Sequence, residues 1–259
     1  MECGARLGAA AWSGAAGGSL QPDATIGLME RRDFLKLCAA SAAAAAGSEA
    51  ITAEATVHRY ARAKLVDEAG KPIRAEAIPV QRNLVFNYPY EATPCFLLNL
   101  GRPAAGAELR TVDKKPYAWS GGVGPGRSIV AYSAICAHKL TYPTREISFI
   151  SFRAEKTPAS RHAAVIHCCS EHSQYDPAEG ARVVAGPAPQ PLAAIILEHD
   201  PSSGEIHAVG TAGGEMFNEF FAKYEFRLAM EMGGAARRSS AGACVVRPLE
   251  NYCRQQVKC

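Results

Sequence analysis

The chain has 259 residues, of which 48% are hydrophobic and 20% are charged, so we expect one globular domain with extensions. The formal net charge is only +3, and no segment interleaves basic with aromatic residues, which argues against a nucleic-acid-binding protein. Nine cysteines are many for this length, and none belongs to the Cys-x-x-Cys-His motif that attaches a c-type haem.

The N-terminal region has the pattern of a targeting sequence. Arg31-Arg32-Asp33-Phe34-Leu35-Lys36 matches a twin-arginine export signal, and Ala53-Glu54-Ala55 offers a small-x-small cleavage site. We therefore expect residues 29–55 to be a signal peptide, residues 1–28 to be a non-native upstream extension, and the protein to be periplasmic. The alanine-rich run at 37–47 falls short of the roughly 20 strongly apolar residues of a membrane span, so a retained signal would anchor the protein weakly or not at all.

From residue 56 onwards the pattern is one of short strands separated by turns. Apolar or alternating runs bounded by turn residues predict strands at 57–66, 83–88, 95–100, 128–133, 146–152, 163–167, 192–198 and 206–209. Asp200-Pro201-Ser202-Ser203-Gly204 predicts a hairpin loop between the last two. No strand–helix alternation occurs, so the predicted fold class is all-β, an antiparallel β-sandwich or barrel over residues 56–232.

One helix is predicted near the C-terminus, at 215–232. Its apolar residues recur at helical spacing and would form one face: Phe217, Phe220, Phe221, Tyr224 and Leu228. We expect this face to pack on its own domain, and docking to a partner is the alternative. Residues 233–259 are small, polar and basic, which predicts a flexible tail, in which Cys253 and Cys259 could pair or remain free thiols.

Two short motifs supply a set of metal ligands. Cys136-Ala137-His138 and Cys169-Ser170-Glu171-His172 each offer one thiolate and one imidazole. Two Cys and two His are the ligand set of a Rieske [2Fe–2S] centre, in which the two His bind one of the two irons. Zinc also accepts two Cys and two His, and a zinc-stabilised binding module is the alternative.

The second motif begins with adjacent cysteines, Cys168 and Cys169. Only Cys169 leaves two residues before His172, so we predict Cys169 as the ligand and Cys168 as a strand-end residue that points elsewhere. Two neighbouring residues are predicted to direct hydroxyl groups at the metal centre, Tyr175 towards a cysteine sulfur and Ser173 towards a bridging sulfide.

The residues that follow and precede these motifs resemble those of a known family. Tyr175-Asp176, Gly180 and Gly186-Pro187-Ala188-Pro189-Gln190-Pro191-Leu192 resemble the second Rieske box and its covering loop, which places cluster-binding loops at 134–142 and 167–192. Phe86-Asn87-Tyr88-Pro89, Pro94-Cys95-Phe96-Leu97-Leu98 and Gly121-Gly122-Val123-Gly124-Pro125 are similar to the small, twin-arginine-exported Rieske subunit of arsenite oxidase. The resemblance implies electron transfer from a molybdopterin-containing large subunit to a periplasmic cytochrome c or azurin-like acceptor, with no substrate site on this chain.

Three departures from the family pattern are visible. About thirty residues separate His138 from Cys169, against a more usual fifteen or so in the family. Thr141 and Glu171 stand where respiratory Rieske proteins have a disulfide that joins the two loops. The stretch from His172 to Asp176 is one residue shorter than usual. A Rieske subunit of a quinol-oxidising cytochrome bc complex is the alternative function, and a Rieske-type oxygenase would need a catalytic iron domain for which the chain is too short.

Overall fold

The computed structural model describes residues 57–259, so the export signal, its cleavage site and the upstream extension lie outside the described part. The strands of the described part are β1 (Val57–Val66), β2 (Leu84–Asn87), β3 (Pro94–Asn99), β4 (Ala107–Arg110), β5 (Pro116–Trp119), β6 (Ile129–Ser133), β7 (Ile147–Ser148), β8 (Ile150–Arg153), β9 (Val165–Cys168), β10 (Ser173–Asp176), β11 (Arg182–Ala185), β12 (Ala194–His199), β13 (Ile206–Ala212), β14 (Gly242–Val245), β15 (Arg247–Pro248) and β16 (Gln255–Gln256). The α-helices are α1 (Phe217–Met232) and α2 (Leu249–Tyr252). Neither helix is long and apolar enough to cross a membrane.

Eight strands form one large sheet in the order β14-β1-β13-β12-β6-β3-β2-β15. Neighbouring strands are antiparallel except β1 and β14, which run parallel. The two edge strands, β14 and β15, are separated in sequence by Val246 alone. The Cys244 thiol of β14 also donates a hydrogen bond to the Asn87 carbonyl of β2 at 3.2 Å. The edges therefore meet, and the sheet closes nearly into a barrel, which confirms the predicted all-β class.

Strands β3 and β6 are buried on both faces, so they consist of continuous apolar runs rather than alternating ones. On β3, Cys95 and Leu97 face one apolar cluster, and Phe96 and Leu98 face another. The second cluster fills the space between the large sheet and a small antiparallel sheet of order β11-β10-β9-β8. This packing fixes β9, which ends in Cys168, against the strand that leads to Cys136.

A side chain joins the two sheets where their backbones do not pair. The Asn83 amide donates to the Phe152 carbonyl at 3.0 Å, and the Phe152 N–H donates to the Asn83 Oδ1 at 2.6 Å. Asn83 precedes β2 of the large sheet and Phe152 lies on β8 of the small one. The Asn83 side chain therefore links the two sheets through two hydrogen bonds.

The predicted helix is present as α1, and its apolar face packs on its own domain. Phe217, Phe220, Phe221 and Leu228 are buried. They cluster with Ile135, Leu140 and Tyr142 of the loop that follows β6, and the ring centroids of Tyr142 and Phe220 are 4.8 Å apart. The helix therefore supports the loop that carries Cys136 and His138.

The structure differs from the expected flexible tail at residues 233–259. Residues 242–256 contribute three strands and α2, and Cys244, Val246, Leu249 and Cys253 are buried. Cys253 remains a free thiol, and Cys259 forms a disulfide with Cys169 instead of pairing with Cys253. These apolar residues are spread between polar ones at no fixed period, so the sequence suggested a solvated segment. In the structure they pack at the seam of the barrel or beside it.

Candidate metal centre

The first cysteine loop, residues 134–142, begins where β6 ends. The Cys136 side chain is buried, and the backbone N–H groups of His138 and Lys139 donate hydrogen bonds to its sulfur. The Leu140 N–H donates to the Cys136 carbonyl at 2.9 Å, and Leu140 has a positive φ of 60°. The chain thus turns tightly around the Cys136 sulfur.

The second cysteine loop, residues 168–173, joins β9 to β10 and has the same local fold. Cys168 is fully buried, and the backbone N–H groups of Ser170 and Glu171 donate to its sulfur. In both loops the donors therefore lie two and three residues after the cysteine. The residue four positions after it has a positive φ in both, and here that residue is His172 with 58°. Cys168 is therefore the structural counterpart of Cys136.

The thiols of Cys136 and Cys168 lie within hydrogen-bonding reach of each other. The hydrogen bond from the Cys168 thiol, together with the Tyr175 hydroxyl, lowers the pKa of the Cys136 thiol to about 6 against the opposing effect of burial. The same hydrogen bond, with burial, raises the pKa of Cys168. One of the two sulfurs therefore deprotonates readily, and metal ligation requires a thiolate.

The structure differs from the predicted ligand set at Cys169. The Cys169 sulfur is bonded to that of Cys259, with 5.7 Å between the two Cα atoms. A sulfur in a disulfide has no thiolate to offer a metal, and Cys168 is the free thiol of the second loop. The spacing of the second motif then becomes Cys168-x-x-x-His172.

The two predicted histidine ligands stand on the same loops as the two buried sulfurs. His138 is partly buried, and its Nδ1 is buried without a hydrogen-bond partner among the described residues. His172 is exposed, and its ring centroid lies 5.6 Å from that of His167. His167 is fully buried on β9, and burial is the main reason that its pKa is lowered.

The Tyr175 hydroxyl faces the Cys136 sulfur. The two atoms are 3.2 Å apart, and the Ala137 N–H donates to the same hydroxyl at 3.2 Å. Burial and the nearby Cys136 sulfur raise the pKa of Tyr175. The hydroxyl therefore stays protonated, and it can donate to a thiolate sulfur.

Ser173 and Pro187 occupy different surroundings. Ser173 is fully buried, and its hydroxyl has no hydrogen-bond partner within the described part of the chain. Pro187 is exposed in a loop that crosses the second cysteine loop. At Gly186, where φ is 84°, an added Cβ would lie 2.5 Å from the His172 carbonyl oxygen, so only glycine permits this close approach.

These residues fit a metal group held by thiolates and imidazoles. Two buried sulfurs face each other, and each receives two backbone N–H donors. The Ser173 hydroxyl and His138 Nδ1 are buried with no hydrogen-bond partner among residues 57–259. Buried polar atoms normally have partners, so these two indicate room for a group that accepts a hydrogen bond or a ligand.

A second group of potential ligands lies next to the centre. One donor atom from each of His167, Cys169 and Cys259 lies within 4.8 Å of the others. Two of the three are joined in the disulfide, so they do not act as metal ligands in this structure.

The correction at Cys169 had one signal in the sequence. The stretch from His172 to Asp176, one residue shorter than the family pattern, indicated that the second loop departs from that pattern. The bond between Cys169 and Cys259, which are 90 residues apart, had no local signal.

No protein-family model matches the chain. A solved structure that resembles this one is the crystal structure of the soluble domain of the Rieske protein II (soxF) from Sulfolobus acidocaldarius. The sequence identity is 27% and the TM-score is 0.44. The match covers 61% of this chain and 82% of that chain.

Proposed function

We propose that this chain is a Rieske-type electron-transfer protein whose [2Fe–2S] cluster is held by Cys136 and Cys168 as thiolates and by His138 and His172 as imidazoles. The observation that carries the proposal is the pair of buried sulfurs, which come from two loops of the same local fold and each receive two backbone N–H donors. The motif Cys136-x-His138 adds one imidazole beside the first sulfur, and His172 adds the second.

A bound Rieske cluster supplies reversible one-electron chemistry at about −150 to +300 mV, against about −400 mV for plant-type ferredoxins. The protein's own contribution is to hold two thiolates in a buried site and to direct hydrogen-bond donors at them. The four backbone N–H groups and the Tyr175 hydroxyl stabilise negative charge on sulfur. The exposed ring of His172 would lie on the side from which an electron partner approaches.

The experiment that tests the proposal is EPR spectroscopy of the dithionite-reduced full-length protein, with Cys168→Ser compared with Cys169→Ser. We expect a rhombic signal at low average g in the wild type, because mixed His and Cys ligation makes the two irons unlike. Cys168→Ser should abolish this signal, as should His138→Ala and His172→Ala. Cys169→Ser should retain it.

Two results would contradict the proposal in different ways. A colourless, EPR-silent protein with one bound zinc would replace the electron-transfer function with a zinc-stabilised module. A signal that survives Cys168→Ser and disappears in Cys169→Ser would keep the cluster and return the ligand role to Cys169.

We further infer a partner of the arsenite-oxidase type, on the basis of the residues upstream of Cys136 that resemble the small subunit of that enzyme. The chain would then take electrons from a molybdopterin-containing large subunit and pass them to a periplasmic cytochrome c or azurin-like protein. Copurification with a large molybdenum-containing chain from the periplasm is the expected result. Fractionation with membranes and a cytochrome b would instead support the bc-complex alternative.

A further inference from the structure

The second cysteine loop is covalently tied to the C-terminal segment of the chain. The disulfide links Cys169, the residue after Cys168, to Cys259, and the two lie 90 residues apart in sequence. Within residues 57–259 no disulfide links the second loop to the first. The two loops are joined instead by an ion pair between Lys139 Nζ and Glu171 Oε1 at 2.7 Å, in which both side chains are exposed.

The C-terminal segment is itself anchored to the domain, so the disulfide ties the loop to a fixed point. The N–H groups of Arg254, Gln255 and Val257 donate to the carbonyls of Arg145, Glu146 and Ser148 at 2.9–3.0 Å, as β16 runs parallel to β7. The Arg153 guanidinium of β8 donates to the Val257 carbonyl. These bonds hold the segment beside the small sheet that contains β9.

The loop has few other restraints on the side where His172 lies. The Cys169 N–H donates to the Phe149 carbonyl at 2.6 Å, after which Ser170 and His172 are exposed. An exposed ion pair such as Lys139–Glu171 contributes little, because water screens the two charges. Within residues 57–259 the disulfide is thus the one covalent tie to the segment that directs the Ser170 and Glu171 N–H groups at the Cys168 sulfur.

We propose that Cys259 is a positioning residue: through its disulfide with Cys169 it clamps the second cysteine loop, so that Cys168 and His172 are held in the geometry that binds the metal group. This inference rests on the proposed ligand roles of Cys168 and His172. The clamp acts from the C-terminal segment, whereas the first loop, which is supported by α1, has no disulfide to any other residue of the described part.

The test compares Cys259→Ser and Cys169→Ser with Cys253→Ser in the full-length protein, purified in air. Cys253 is a matched control, because it lies in the same segment, is buried, and donates its thiol to the Leu249 carbonyl at 3.3 Å without belonging to the disulfide. Mass spectrometry after digestion without reductant should recover a Cys169–Cys259 cross-linked peptide from the wild type and from Cys253→Ser. Circular dichroism checks that each variant is folded.

The functional readouts are the rate of iron loss and the EPR line width. We expect both clamp variants to lose iron at least about tenfold faster than wild type, which corresponds to about 1.4 kcal/mol of barrier. The EPR lines of both clamp variants should broaden, because a loop without the disulfide holds the histidine ligand in several orientations. The control Cys253→Ser should match the wild type in both readouts. The double variant should be no worse than either single one, since both changes remove the same bond.

Several outcomes would overturn the clamp while leaving the proposed function intact. These are iron loss and EPR lines in Cys259→Ser that equal those of Cys253→Ser, or additive effects in the double variant. A mapped disulfide that contains Cys168 would overturn both the clamp and the proposed ligand role of Cys168. Loss of the cluster in Cys169→Ser with no effect of Cys259→Ser would show Cys169 to be a ligand. Absence of iron from the wild type itself would overturn the proposed function, and the clamp with it.

Discussion

At the scale of single residues, Tyr175 is the side chain with the most direct control over the sulfur of Cys136. It is fully buried on β10, and its hydroxyl lies 3.2 Å from that sulfur. Its raised pKa keeps the proton on the oxygen. A hydrogen bond to a ligand sulfur gains strength as the sulfur becomes more negative. It would therefore stabilise the reduced form of the proposed cluster more than its oxidised form.

Replacing the Tyr175 hydroxyl should therefore lower the midpoint potential of the proposed cluster. In Tyr175→Phe we expect a decrease of about 20–60 mV, which is the equivalent of one net hydrogen bond for a one-electron couple. The measurement is a potentiometric titration followed by EPR. Tyr117→Phe is the control, because the Tyr117 hydroxyl is also buried but has no hydrogen-bond partner among the described residues. An unchanged potential in Tyr175→Phe would show that the hydroxyl does not act on the sulfur.

The sequence predicted which loops carry the candidate ligands, because the spacing of each motif is a local property of a tight loop. The structure places Cys136 and His138 on the first of these loops and His172 on the second, and their ligand roles stay predictions. The choice of Cys169 over Cys168 was wrong for this structure, because the rule that two residues separate the cysteine from the histidine assumes a loop of standard length. The close approach of Gly186 and the positive φ of His172 show that this loop is built differently.

At the scale of elements, the relation between the two sheets determines how the two cysteine loops face each other. Cys136 follows a strand of the large sheet and Cys168 ends a strand of the small one. The Asn83 amide spans the sheets with two hydrogen bonds to Phe152. Apolar packing can slide by small amounts, whereas these two bonds have a fixed direction, so Asn83 sets the alignment of β8 against β2.

Removal of the Asn83 amide should cost stability. Asn83→Ala leaves the Phe152 N–H and carbonyl without these partners, and we expect a loss of about 1–3 kcal/mol in the free energy of unfolding. For a domain of this size that corresponds to roughly 2–4 °C in Tm per kcal/mol. Calorimetry of the variant against Asn251→Ala, an exposed asparagine on α2, gives the measurement and its control. Equal Tm values for the two variants would contradict the role of Asn83.

Most of the longer elements could be predicted, and the shortest could not. The mixed apolar and polar pattern of β1, the apolar runs of β3 and β6 and the spacing of α1 gave boundaries within a few residues. The β4–β5 hairpin was missed because only Leu109, Tyr117 and Trp119 of its residues are buried. The strands β14, β15 and β16 have two to four residues each, which is too few to establish a period; distant pairing partners stabilise them.

At the scale of the whole molecule, buried histidines make stability depend on pH. His207 on β13 is 5% exposed, and its pKa is lowered by burial and by the charges of Arg62 and Lys64, against the opposing charges of Glu205 and Glu198. The unfolded chain therefore binds a proton at a higher pH than the folded protein does. The free energy of unfolding should then decrease as pH falls below about 6.5, the usual pKa of histidine in an unfolded chain.

The corresponding prediction is a Tm that falls between about pH 7 and pH 5 and falls less in His207→Gln. Glutamine fills a similar space but takes up no proton in this range, so it removes one source of the slope. His162→Gln is the control, because His162 is exposed. Parallel Tm curves for the wild type and His207→Gln would contradict the assignment.

The closure of the large sheet has a consequence for the rate at which this chain folds. Strand β14 pairs with β1 and contacts the end of β2, and β15 pairs with β2, so the seam joins segments more than 150 residues apart. Contacts between such distant segments form slowly, because the chain must lose the entropy of a long loop before they contribute energy. Until β14 and β15 arrive, β1 and β2 present unpaired edges that can pair with other chains. The seam therefore makes refolding yield depend strongly on protein concentration, and the sheet is protected against association only after its last strands are in place.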